Sequence, residues 1–175
     1  MQASCRTTWP QGAAPVLKDL PLESFLAALG ERTPAPGGGA ASALTASAGA
    51  ALSLMSAAYT TGSEKFKAIE PRVQALIAGL KPLQKRLLQL VDADAGAYAE
   101  WAAARALPKS TDQEQALRAG KLAEAQERST AVPEEILGLA CQSLALNAQL
   151  APLCNPNLAA DVAVAARLLA AGARG

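Results

Sequence analysis

Two stretches of this 175-residue chain carry residue types that bind anions. In the first, Pro36-Gly37-Gly38-Gly39 leads into a run of small residues that favours a helix. Exposed N–H groups at a helix N-terminus attract phosphate or carboxylate. No Gly-Lys-Ser/Thr follows and no strand precedes it, which excludes a nucleotide-type phosphate loop. The alternative is that the glycines only permit tight turning and close packing. The second stretch is Leu107-Pro108-Lys109, where a lysine in a rigid turn can hold an anion, although exposed loop lysines are common.

A third stretch carries residue types that move protons. Asp92 and Asp94 lie among alanines in a segment otherwise rich in leucine, and helical spacing puts Asp94, Tyr98, Trp101 and Arg105 on one face. If that face is shielded from water, a raised carboxylate pKa would provide a general acid or base near neutral pH. The alternative is a solvated face with an ordinary helix salt bridge.

Composition excludes several classes of site. The chain has no histidine, which rules out a His-ligated zinc site and a Ser-His-Asp triad. Its three cysteines, Cys5, Cys141 and Cys154, form no CxxC pair. Their odd number argues against a disulfide framework and favours reduced thiols in a cytoplasmic protein.

Charge and hydropathy argue against nucleic-acid and membrane partners. Sixteen Lys+Arg against fifteen Asp+Glu give a net charge of +1, without a basic footprint. Residues 1–20 lack the apolar run of a signal peptide. The stretch 40–58 is mostly Ala and Ser, which we judge too weakly hydrophobic for a membrane span. It is predicted to be a helix buried in protein.

The elements that must position these residues are all helical. Apolar residues make up 51% of the chain but aromatic ones only 3%, a balance typical of closely packed helices. The patterns predict an extended leader over 1–20 and one domain over 21–175. Within it we expect helices at about 21–30, 40–60, 66–106, 112–130, 133–151 and 158–171, with a kink or break at Pro82 and a capping box at Thr111. The predicted fold class is an all-α, single-domain helical bundle with long central helices. Since alanine-rich helices bury little area each, pairing of two copies would enlarge the core.

Taken in their order along the chain, these three stretches resemble the cyclodeaminase/cyclohydrolase family. The resemblance is carried by Thr33-Pro-Ala-Pro-Gly-Gly-Gly-Ala-Ala-Ser-Ala-Leu, Val91-Asp-Ala-Asp-Ala-Gly-Ala-Tyr and Ala106-Leu-Pro-Lys. It continues through Arg118, Ala131-Val-Pro and Asn155…Asp161-Val-Ala-Val-Ala-Ala, and covers roughly residues 20–175.

The resemblance implies an all-helical homodimer that acts on a tetrahydrofolate derivative without a metal or a redox cofactor. A cyclodeaminase closes 5-formimino-tetrahydrofolate to 5,10-methenyltetrahydrofolate and releases ammonia; a cyclohydrolase opens the methenyl compound to 10-formyl-tetrahydrofolate. In this site Asp94, alone or with Asp92, would move protons or hold the pterin. The expected binding residues are Gly37, Gly38, Gly39, Tyr98, Lys65, Lys109 and Arg118, of which Lys109 and Arg118 would neutralise the glutamate carboxylates.

Two departures from the family pattern affect the expected activity. Where relatives carry a Gly-Lys-Lys-Lys-Tyr-like stretch, this chain has Gly62-Ser-Glu-Lys-Phe66, so two cations are missing. Relatives also continue with further helix past the position of Gly175. Three hypotheses follow: a formimidoyltetrahydrofolate cyclodeaminase, a methenyltetrahydrofolate cyclohydrolase of the same fold, or a non-catalytic helical dimer that keeps the scaffold.

Overall fold

The computed structural model describes residues 16–175, which form five α-helices and no strand. The helices are α1 (Leu22–Gly30), α2 (Gly38–Ala58), α3 (Glu70–Ala106), α4 (Asp112–Leu150) and α5 (Ala159–Arg174). Single 3-10 turns occupy Leu17–Asp19, Glu64–Phe66 and Pro156–Leu158. The all-α prediction is confirmed.

One predicted helix boundary is wrong. Instead of two helices separated near Pro133, the chain forms one continuous 39-residue helix, α4, with Pro133 inside it. An internal proline loses a backbone hydrogen bond and costs about 3 kcal/mol. Packing outweighs that cost, because Ala125 before the proline and Ile136 and Ala140 after it are all buried. Pro82 likewise lies inside an unbroken α3, so no break occurs there.

The predicted capping box starts α4 as expected. The Glu114 N–H donates to Thr111 Oγ1 at 3.2 Å, and the Thr111 N–H donates to Glu114 Oε2 at 3.0 Å. These bonds satisfy two N–H groups that helix geometry would otherwise leave unpaired.

The small-residue helix α2 lies at the centre and contacts α3, α4 and α5. Its alanines at 40, 43, 46 and 50 are fully buried. On the α5 side the two backbones approach closely. A Cβ at Gly172 would lie 2.7 Å from Ser42 O, and one at Gly49 would lie 3.0 Å from Ala165 O. Side chains this small are therefore what allows two helices to share so narrow a core.

A buried polar bridge joins α2, α4 and α5. Asn147, only 2% exposed, accepts a hydrogen bond from Ser53 Oγ at 2.8 Å and donates one to Val162 O at 3.1 Å. Such a fully paired network fixes the register of three helices at once.

By length and composition α2 reaches the range of a membrane span, with a mean hydropathy of 1.3 over its most apolar window. The expectation that this helix is too weakly hydrophobic for a membrane span is therefore not met. Half of that window is buried inside the bundle, as expected for a helix packed in protein, and among the described residues no other helix passes the same test.

Part of the predicted leader, residues 1–15, lies outside the described residues. The remainder packs against the bundle. Leu17 is 1% exposed, and the Lys18 N–H donates to Asp92 Oδ1 in α3 at 3.1 Å.

The lengths of the helices determine where the bundle is open. Because Ala40 of α2 contacts Asp94 while Ser47 contacts Gln84, α2 runs antiparallel to α3 and begins beside Asp94. The last twelve residues of α3, about 18 Å of helix, therefore extend past the start of α2. Together with the first part of α4 they form a projecting hairpin.

Candidate functional site

Asp94 is held at the N-terminus of α2. Its Oδ2 accepts a hydrogen bond from the Ala40 N–H at 3.0 Å. The N-terminal N–H groups of a helix lack partners within the helix, and their dipoles favour a negative charge. Among the described residues no donor contacts the second oxygen, Oδ1, which is not fully buried. One oxygen therefore positions the carboxylate, and the other remains open to a ligand.

Burial raises the pKa of Asp94 above its ordinary value, and the hydrogen bond from Ala40 lowers it in part. Desolvation is the larger cause, since a half-buried carboxylate loses hydration that one N–H replaces incompletely. A carboxylate with a raised pKa is a stronger base, and its protonated form persists to higher pH, where it is available as an acid. Asp94 therefore has the environment of a general acid–base.

The three glycines at the start of α2, the N-cap Gly37 and the first two helical residues Gly38 and Gly39, differ in what their surroundings require. A Cβ added at Gly39 would overlap Asp94 Oδ1 and would lie 2.6 Å from Asp94 Cγ, so the carboxylate occupies the space of the missing side chain. A Cβ at Gly37 or Gly38 would meet no atom of residues 16–175 within 4 Å. The absence of a side chain at Gly39 thus makes room for the Asp94 carboxylate at the start of α2, whereas close packing among the described residues does not require glycine at Gly37 or Gly38.

The face of α3 that begins at Asp94 continues as a row of aromatic and cationic side chains. The rings of Tyr98 and Trp101 are 6.0 Å apart between centroids, and the Arg105 guanidinium lies 4.7 Å from the Trp101 ring centroid. Tyr98 is 43% exposed. The four residues therefore lie along one face of α3, as predicted. The alternative, a solvated face with a salt bridge inside the helix, is not observed, because Arg105 has no ion pair within residues 16–175.

Arg118 joins this row from α4. Its Nε and Nη2 both lie 3.4 Å from Arg105 O, close enough for hydrogen bonds. Lys109 is exposed in the turn between α3 and α4, where its carbonyl accepts from Gln115 Nε2 at 3.3 Å. The Arg105 and Arg118 side chains therefore lie together toward the tip of the hairpin, and Lys109 lies in the turn that follows Arg105 by four residues.

Two predicted site residues lie elsewhere. Asp92 points away from the Asp94 face, and its described hydrogen bond is to the Lys18 N–H. Lys65 follows the C-terminal end of α2, about 30 Å along the helix from Gly39, and its ammonium lies over the Phe66 ring at 5.2 Å. Within one chain Lys65 does not meet Asp94.

Sequence reasoning missed the backbone partner of Asp94 and its contact with Gly39. Neither has a sequence signal, because both join positions 54 or 55 residues apart. Within residues 16–175 no three Cys, Asp or Glu side chains cluster in a way that could hold a metal ion.

Comparison with known proteins identifies relatives of this chain. Residues 21–175 match the family model described as formiminotransferase-cyclodeaminase. The chain is 35% identical to the mouse formimidoyltransferase-cyclodeaminase over 91% of its own length, but it spans only 29% of that protein. It is 33% identical to a methenyltetrahydrofolate cyclohydrolase of Methylorubrum extorquens, over 87% of this chain and 74% of the relative. The structure resembles that of a formiminotetrahydrofolate cyclodeaminase from Thermotoga maritima, with a TM-score of 0.78 and 26% identity, over 89% of this chain and 74% of that one.

Proposed function

Since the chain belongs to the formiminotransferase-cyclodeaminase family, we propose that it is a folate one-carbon enzyme, specifically a formimidoyltetrahydrofolate cyclodeaminase. The observation that carries the proposal is the placement of Asp94. This carboxylate is half-buried, has a raised pKa, is held by the Ala40 N–H and keeps one oxygen open. A single proton-transfer group in that setting is what ring closure requires.

The reaction assigns Asp94 two proton transfers. In protonated 5-formimino-tetrahydrofolate, N10 attacks the formimino carbon, and a new N10–C bond forms. Asp94 Oδ1 takes the proton from N10 and then delivers it to the amino group on the same carbon. The C–N bond to that group breaks, ammonia leaves, and the 5,10-methenyl cation remains. A raised pKa lets one carboxyl group serve as base in the first transfer and as acid in the second.

The direct test is turnover of 5-formimino-tetrahydrofolate, followed by the near-ultraviolet absorbance of the methenyl product and by ammonia release. We expect both signals in stoichiometric amounts, and we expect Asp94→Asn to lower the rate about 10²-fold or more while the protein stays folded. Asp92→Asn is the matched control, because it removes a carboxylate two positions away that faces the Lys18 backbone. An Asp94→Asn variant with a near-wild-type rate would overturn the assignment.

A second candidate function is methenyltetrahydrofolate cyclohydrolase. It is favoured by the M. extorquens relative, because this chain spans most of that protein. The same carboxylate would take a proton from the water molecule that adds to the methenyl carbon and would return it to N5 as the N5–C bond breaks. The hydroxyl proton of the adduct is then released to solvent, and 10-formyl-tetrahydrofolate remains. Loss of methenyl absorbance, compared with spontaneous hydrolysis in a protein-free sample, measures this activity. If neither reaction is accelerated, the non-catalytic scaffold becomes the better hypothesis.

We further propose that the chain forms a homodimer in the cytoplasm. The supporting observations are the narrow, alanine-rich core and the exposure of large apolar side chains such as Leu22 at 65% and Leu26 at 54%. Light scattering at micromolar concentration tests the dimer, and a monomer there would refute it.

A further inference from the structure

The face of α3 changes character where α2 begins. Before Asp94 this face is covered by α2. Its apolar side chains Leu87, Leu90 and Val91 are fully buried, and its polar Gln84 donates to Ser47 Oγ of α2 at 3.0 Å. Beyond Asp94 the same face continues as Tyr98, Trp101 and Arg105, with no α2 to cover it. Aromatic rings and a guanidinium group thus line the part of this α3 face that α2 leaves uncovered. Apolar walls with a few polar groups are typical of ligand-binding sites.

The hairpin presents a cavity beside Trp101. Its volume is about 430 Å³, and it is lined by Trp101, Arg105, Arg118, Leu122, Ala123 and Gln126. No acidic side chain is in that lining. Volumes of this order suit a small organic ligand. The chemistry of the lining, one indole and two cations above an apolar floor, suits a ring that carries carboxylates.

The two faces of the hairpin differ in whether their cations are paired with carboxylates, and on the face opposite Trp101 they are. There Arg128 pairs with Glu100 at 2.9 Å, and Lys121 pairs with Glu124 at 2.8 Å. Arg105 and Arg118 have no carboxylate partner within the described part of the chain. The guanidinium groups on the Trp101 face therefore remain available for an anionic ligand, whereas the cations opposite are already neutralised.

We propose that Trp101, Arg105 and Arg118 form the subsite for the aminobenzoyl-glutamate half of the substrate, an inference that rests on the proposed folate chemistry at Asp94. The aminobenzoyl ring stacks on Trp101, and the glutamate carboxylates accept from Arg105 and Arg118. Trp101 and Arg105 thereby become binding residues beside the reacting end of the molecule.

The spacing along α3 fits this arrangement. Eleven residues separate Asp94 from Arg105, which corresponds to about 16 Å of helix. The Arg105 guanidinium lies back over the Trp101 ring, 4.7 Å from its centroid, so its distance from Asp94 is shorter than this rise, as is the span from the reacting nitrogen atoms of an extended folate to its glutamate carboxylates. With Asp94 at one end and the two arginines at the other, Tyr98 and Trp101 lie alongside the ring between them.

The test uses p-aminobenzoyl-glutamate, a probe that contains this half of the substrate and no reacting carbon. In a Trp9→Phe background Trp101 is the only tryptophan, so quenching of its fluorescence reports binding. We expect Arg105→Met and Arg118→Met each to weaken binding about tenfold or more, because each removes a charged hydrogen bond. Trp101→Leu should weaken it to a similar extent, because it removes the stacking partner; this variant lacks the fluorophore and is followed by calorimetry. Trp101→Phe should retain most of the affinity. Free glutamate, which lacks the ring, should bind more weakly than the full probe.

Two controls separate this proposal from the function on which it rests. Lys121→Met removes a cation from the opposite face of the hairpin and should leave probe binding unchanged. Asp94→Asn should lower turnover about 10²-fold or more but keep the affinity for the probe. If the wild type turns over folate while Arg105→Met leaves both KM and probe binding unchanged, the subsite is refuted. A different result separates the two proposals. If Arg105→Met weakens probe binding but the wild type turns over neither 5-formimino-tetrahydrofolate nor 5,10-methenyltetrahydrofolate, the subsite stands and the catalytic proposal fails.

Discussion

Replacing Gly39 by alanine tests whether the close contact between α2 and Asp94 organises the site. The new Cβ would overlap Asp94 Oδ1 and lie 2.6 Å from Cγ and 3.1 Å from Oδ2. Since all three of these atoms belong to one side chain, the Asp94 carboxylate must move. The backbone of α2 cannot withdraw easily, because Ala40 and Ala43 are fully buried on the same helix.

The expected cost follows from the bond that is lost. A hydrogen bond to a charged group contributes about 1.5–3 kcal/mol, and alanine in place of glycine within a helix returns about 0.5–1 kcal/mol. Gly39→Ala should therefore lower the free energy of unfolding by about 1–2 kcal/mol, measured by urea denaturation. Turnover should fall toward that of Asp94→Asn, because the carboxylate no longer holds its position.

A double-mutant cycle isolates the contact. In an Asp94→Ala background the obstructing carboxyl atoms are absent, so Gly39→Ala should become neutral or stabilising. Gly38→Ala is the stability control, because its Cβ would meet nothing within 4 Å. If Gly39→Ala were as well tolerated as Gly38→Ala, or equally harmful in both backgrounds, the contact would not have the role assigned to it.

Three further predictions concern pH and packing. Burial raises the pKa of Asp94, so its contribution to stability is fully present below the unfolded pKa of about 3.9 and is lost as pH rises through the folded value. Glu124 and Glu135, whose pKa values are lowered by their basic partners, act in the opposite direction in both proteins. The measured quantity is therefore the stability of the wild type relative to Asp94→Asn, which should fall as pH rises across this range in urea unfolding. Asn147→Ala should lower the free energy of unfolding by about 2 kcal/mol or more, because it breaks a buried bridge between three helices. Ser143→Ala should cost much less, because within residues 16–175 the Ser143 hydroxyl bonds only Leu139 O of its own helix. Gly172→Ala should reduce the melting temperature, since its Cβ would lie 2.7 Å from the α2 backbone. Gly120→Ala, which meets nothing within 4 Å, should leave it unchanged or raise it, and equal effects of the two would contradict the packing argument.

The prolines show where local signals and tertiary packing disagree. Pro133 carries a strong start signal for a helix, yet α4 passes through it. The signal is local, whereas the burial of Ala125 and Ile136 on both sides of it depends on helices distant in sequence. The Thr111 capping box has no such competitor, since both of its partners lie within three residues, and it forms as predicted.

The sequence by itself determined the helical class, the small-residue centre and the face that joins Asp94 to Tyr98, Trp101 and Arg105. Each of these depends on composition or on helical periodicity, and both are local properties of the chain. Only the tertiary structure decided that Asp94 meets the Ala40 N–H, that Asp92 meets Lys18 instead and that Lys65 lies at the far end of α2. These contacts depend on where one helix begins along another, which is set by packing of the whole bundle and has no signature within a single segment.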